Sequence, residues 1–69
     1  MTFGQFIRQK RESLNISQKP LMDALDRSRG GISRLESGGL QWKLDDVIAV
    51  APVFRMSASE LVEEYIKSI

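Results

Sequence analysis

The segment Ser17–Gly38, SQKPLMDALDRSRGGISRLESG, constrains this chain more than any other. It predicts two short amphipathic helices joined by a tight break. Ser17 offers a hydroxyl to cap the first, whose Leu21 and Leu25 lie four apart on one face. Asp26 and Arg27 supply the break, and Ser28 offers a cap to the second. On that second helix Ile32 and Leu35 turn toward the shared core, while Arg29, Ser33 and Arg34 face outward. A helix held by a partner, with an outer face too polar for a core, suits insertion into a groove of another molecule.

Ser17, Gln18, Ile32, Ser33 and Glu36, with Gly38 closing the second helix, carry a family resemblance. The pattern is similar to the phage-repressor and Cro type (Xre-like) of helix-turn-helix DNA-binding domain. Arg8, Arg11 and Leu14 match its first helix, and Val47, Ile48, Ala51, Phe54 and Leu61 its later apolar positions, without a gap over nearly the whole chain. The resemblance implies an all-α, compact five-helix, lambda-repressor-like domain, with its third helix in the major groove of double-stranded DNA.

The flanking sequence fits a single domain over residues 1–69. Thr2 and Gln5 have capping-box spacing, and Phe3, Phe6, Ile7 and Leu14 follow at helical period. Asn15 and Ile16 connect to the second helix, where Pro20 falls in the first turn and its missing N–H costs little. The third helix runs from Arg29 to about Ser37 and stops at Gly38-Gly39. After the loop to Lys43, Asp45 and Asp46 open a fourth helix with Val47, Ile48 and Ala51 inside, followed by Phe54. Pro52 removes a hydrogen bond to the Ile48 carbonyl, so that helix is expected to kink or end there. Ser57 and Glu60 form a second capping box, Met56 and Leu61 a hydrophobic staple, and a fifth helix runs from about Ala58 to near Lys67. No strand, repeat or low-complexity linker is expected.

The resemblance implies roles on the DNA face residue by residue. Gln18 would donate to a backbone phosphate, and Ser28 and Ser37 would add phosphate contacts, with helix capping an equal account of Ser28. Arg29 and Arg34 are candidates to bond O6 and N7 of guanine, or else phosphates, and Ser33 to bond a base or a phosphate. Gly30 and Gly31 stand where the family projects side chains toward DNA. They allow either a close backbone approach, as to a thymine methyl, or a weakened readout. Lys43 is a further phosphate candidate, and Lys19 a weaker one. Arg8 and Lys10 read as surface residues or optional phosphate contacts, and Arg27 as solvent- or phosphate-facing. Met22, larger than the family's usual residue, implies a wider helix crossing; Asp26 replaces a turn glycine, and aspartate tolerates the left-handed region. The resemblance also implies a structural ion pair, Arg11 with Glu36. Trp42 is expected to cap the core.

Net charge is only +1, but residues 1–43 hold eight basic against four acidic residues (+4), and residues 44–69 two against five (−3). A basic front and an acidic back suit a protein that meets phosphates with one end. Neither cysteine nor histidine is present, which removes disulfides, a zinc site and histidine catalysis. No metal, cofactor or small-molecule ligand is expected. No nucleophile–base arrangement can be assembled, and the Asp45-Asp46 and Glu63-Glu64 pairs suit helix ends and solvated faces, so no enzyme is expected. No signal-peptide or membrane-span pattern is found, and a cytoplasmic location without membrane contact is expected.

One recognition helix reads few base pairs, and the family implies two-fold binding to a palindromic operator. Leu61, Val62, Tyr65, Ile66 and Ile69 make an apolar stripe on the last helix, residues 58–68 and the residue after it, expected to form a homodimer with Trp42 or Phe54 at its edge. Together these readings predict a small dimeric transcriptional repressor acting on its own promoter, from a phage, mobile element or small operon. The alternative is the same fold used as a protein-interaction module, an antirepressor or toxin partner, for which Gly30, Gly31 and the low net charge speak.

Overall fold

Thr2 opens helix α1 (Phe3–Ser13) with a reciprocal pair of bonds: its hydroxyl accepts from the Gln5 N–H at 3.2 Å, and the Gln5 side chain accepts from the Thr2 N–H at 2.9 Å. This computed structural model describes residues 1–69 and contains five α-helices, one 3-10 turn and no strand. Asn15, at φ 56°, ends α1, and the Ile16 N–H bonds back to the Arg11 carbonyl. Phe6 and Ile7 are buried as expected, but Leu14 is exposed. The helix has stopped at Ser13, so Leu14 no longer follows its inner face.

Helix α2 (Lys19–Leu25) buries Leu21. Ser17 makes no capping bond there; Pro20, three residues on, lacks one of the two N–H groups such a cap could use, and the helical residues start only at Lys19. Gln18 begins the helical dihedrals instead, and its carbonyl accepts from Met22. Asp26 turns the chain in the left-handed region (φ 51°, ψ 51°). Ser28 then caps helix α3 (Arg29–Ser37), accepting from the Gly31 N–H at 3.2 Å. Ile32 and Leu35 are fully buried, and Gly38, at φ 92°, closes α3 in a conformation that favours glycine.

Helix α4 (Leu44–Val50) departs from expectation in its phase. Its inner face is Asp46, Val47, Val50 and Ala51, and Ile48 points outward beside an exposed Leu44. The cause is Asp46, which accepts from the Lys43 backbone N–H (3.0 Å) and faces Arg27 (3.5 Å), so that a carboxylate takes an inner position. Pro52 ends α4 as expected, and a 3-10 turn, Ala51–Phe54, replaces it.

Ser57 and Glu60 form their capping box and open helix α5 (Ala58–Ser68). Leu61 is fully buried among the core residues of all the other helices, so it cannot belong to an outward-facing stripe. Tyr65 likewise turns inward, its ring 5.2 Å from Phe3 and 5.3 Å from Phe6, its hydroxyl donating to the Met1 carbonyl at 3.2 Å. Phe54 is a core residue too. Val62, Ile66 and Ile69 remain exposed. Lys10 reaches from α1 to Glu64 (2.6 Å) across the Phe54 ring, whose centroid lies 5.6 Å away.

Two contacts place α3 against α1. A Cβ on Gly4 would overlap the Leu35 carbonyl oxygen, so glycine alone lets α1 lie this close to the last turn of α3. Trp42 covers the same region, its Nε1–H donating to the Leu35 carbonyl at 3.0 Å and its ring edge-on to Phe3 at 4.9 Å.

Candidate nucleic-acid interface

The inner side of α3 is clamped from three directions. Arg11 of α1 meets Glu36 with two parallel bonds, Nε to Oε2 at 2.8 Å and Nη2 to Oε1 at 3.1 Å, and gives Nη1 to the Ile16 carbonyl at 2.9 Å. The planar guanidinium fits a carboxylate in this way and fixes direction as well as distance. Donating to Glu36 raises the already high pKa of the Arg11 guanidinium. Gln18, at the start of α2, gives Nε2 to Glu36 Oε1 (3.1 Å) and to Ser33 Oγ (3.2 Å). At the other end of α3, the Arg27–Asp46 contact ties the turn to α4.

The outer side carries Arg29, Gly30, Ser33, Arg34 and Ser37, all exposed. Five basic residues, Arg8, Lys10, Lys19, Arg27 and Lys67, join Arg11 in ion pairs with acids. Arg29, Arg34, Lys43 and Arg55 have no such partner. Three of these four are the cations singled out for DNA on the sequence. Arg55, in the left-handed turn after Phe54, was not among them.

Several of the residues expected on DNA make bonds within the protein. Both amide hydrogens of Gln18 are engaged within the protein, by Glu36 and Ser33. Ser37 donates its hydroxyl proton to the Arg34 carbonyl at 3.2 Å. Ser28 accepts in its cap and keeps its proton, so capping and a phosphate contact are compatible there. Arg27 turns inward, its Nε buried without a partner. Lys19 pairs with Asp23 at 2.7 Å, and Arg8 with Glu12 at 3.4 Å, both on the surface.

The two glycines separate. A Cβ on Gly31 would rest in ordinary contact with the arginine stem, 3.4 Å from Arg27 Cβ, so this residue faces Arg27. A Cβ on Gly30 would meet only Ser28 Oγ at 3.9 Å and otherwise stand in open space. Gly30 therefore lies on the outer face and Gly31 does not.

The sequence reading missed Gly4 and the inward role of Asp46. A glycine inside an otherwise regular helix signals a close backbone approach, and that sign was present at Gly4. Asp46 gave no such sign, since its partner Arg27 lies 19 residues away.

A family model described as helix-turn-helix matches residues 7–61 of the chain. No curated protein and no solved structure matches it.

Proposed function

The chain belongs to the helix-turn-helix family of the phage-repressor and Cro type, a family of DNA-binding regulators, and on that premise we propose that it is a small homodimeric repressor of a palindromic operator. The observation that carries the reading is the pair Arg29 and Arg34: two unpaired guanidiniums on the free face of a helix whose other face is clamped by Arg11–Glu36. With α3 in the major groove, each can bond O6 and N7 of a guanine. Gly30 leaves the helix backbone bare for close approach, Ser28 gives its free proton to a phosphate, and Lys43 adds a further phosphate contact. Val62 and Ile66 of α5, with Ile69 just after it, join a second copy, setting two reading helices about one turn of DNA apart. No helix is long and apolar enough to cross a membrane, in keeping with a cytoplasmic protein that acts on its own promoter.

A gel-shift titration at two salt concentrations, against DNA from upstream of the gene, tests this. The protein should give a sequence-specific shift that weakens steeply with salt as counterions are released. Arg29→Ala should relax preference at one position per half-site. Lys43→Ala should weaken binding evenly across sequences and reduce the salt slope by about 1. A shift that is absent, or indifferent to sequence, overturns the proposal and favours the protein-interaction reading.

A further inference from the structure

Four side chains form one line of hydrogen bonds from the interior to the DNA face: Arg11, Glu36, Gln18 and Ser33. Each link has a fixed polarity. Arg11 can only donate, and the ionised Glu36 carboxylate can only accept. Gln18 must therefore turn its NH2 toward Glu36, and the same NH2 donates to Ser33. Ser33 thus accepts from inside the protein. Its own proton has no acceptor: it makes no bond to the backbone of α3, and its hydroxyl is exposed one turn beyond Arg29. The four residues, with Arg8, line a polar cleft of about 160 Å³ that opens beside this face.

Resting on the regulator reading above, we propose that Gln18 is a positioning residue for base specificity, setting Ser33 as a hydrogen-bond donor toward the major groove. A free serine hydroxyl is ambivalent, because it donates or accepts according to what it meets. One that already accepts from an amide carries a proton that must find an acceptor once water leaves the interface, and the incoming bond polarises it further toward donation. Opposite Ser33, O6 or N7 of guanine, N7 of adenine and O4 of thymine satisfy it. The N4 amino group of cytosine does not, and leaves the proton without a partner. Gln18 then acts on sequence choice without touching DNA through its side chain, which is a different role from holding a phosphate.

The test is selection of bound sequences from a randomised duplex pool by the full chain and three variants, with a thermal melt of each. The unaltered protein should disfavour cytosine at one position per half-site by roughly fivefold, the weight of one hydrogen bond. Ser33→Ala and Gln18→Ala should both flatten that position and leave the preferences set by Arg29 and Arg34. Ser33→Thr, which keeps the hydroxyl, should retain the discrimination, and keeps the idea testable if the Gln18 variant melts early. If Gln18→Ala instead lowers binding equally for all sequences with the disfavour of cytosine intact, Gln18 is a phosphate or framework residue and the proposal falls. If Ser33→Ala changes no position, it falls as well. A failure of the unaltered protein to enrich any sequence overturns the regulator reading itself, and this inference with it.

Discussion

Replacing Arg11 with methionine tests the central clamp, because methionine covers the apolar stem and removes the charge. The Arg11 side chain is 11% exposed and that of Glu36 only 3%, so solvent screens the pair little. Without Arg11, the Glu36 carboxylate keeps a single donor, Gln18, and the Ile16 carbonyl loses its partner. Breaking a buried pair from one side costs about 3–5 kcal/mol. A chain of 69 residues has a total stability of about 3–10 kcal/mol, so the single variant should sit near the edge of folding. Glu36→Leu should cost about as much, since it strands two Arg11 donors in the same place. The double variant should be far better than the sum. It leaves only one Gln18 amide hydrogen and the Ile16 carbonyl unpartnered, at about 1 kcal/mol each plus imperfect packing, so it should lose about 3 kcal/mol rather than about 6. Urea unfolding followed by the fluorescence of Trp42, the one tryptophan, reports this directly, because its ring is hydrogen-bonded to α3. With a slope of about 1 kcal/mol per M, each single change should move the midpoint by about 3 M. Single losses under about 1 kcal/mol that simply add would show that the pair does not hold α3, and the argument from burial would be wrong.

Gly4→Ala should destabilise by about 3 kcal/mol and displace α3, since the new methyl meets backbone rather than a yielding side chain, whereas Gly30→Ala should raise stability by up to about 1 kcal/mol. Thermal melts check both, and a neutral Gly4→Ala would refute the close crossing. Glu60 accepts from the Ser57 N–H, which holds its carboxyl below the usual glutamate range, so its contribution is present above that range and lost as pH falls through the lowered value. The advantage of the native chain over Glu60→Gln should therefore shrink between about pH 7 and about pH 3, measured as urea midpoints; a constant difference would remove Glu60 as its source.

The caps and stops were legible because their chemistry is local. Thr2 with Gln5, Ser28 with the Gly31 N–H, Ser57 with Glu60, the left-handed Asp26 and Gly38 and the break at Pro52 all depend on neighbours within about one turn. The errors fall where a distant partner decides. Apolar residues alone put Ile48 inside α4, but Arg27 and Lys43 draw Asp46 in and rotate the helix. Gln18 reads as a free amide until Glu36 and Ser33 are brought to it, and Gly31 reads like Gly30 until the Arg27 stem crosses it. Tyr65 was read with an outer stripe because the Phe3–Phe6 pair it packs on lies at the opposite end of the chain.

Helix α1 is joined to α3 through Gly4 and Arg11, and to α5 through Phe6 and Lys10. In a two-fold assembly through α5 it is a rigid strut between the seam and each reading head, so its length and tilt act as a ruler for the gap between half-sites. Letters and spacing of an operator are then set by different residues. Changes on the outer face of α3 would alter the word that is read, and changes on the side of α1 that meets α5 would alter the interval at which it must be repeated.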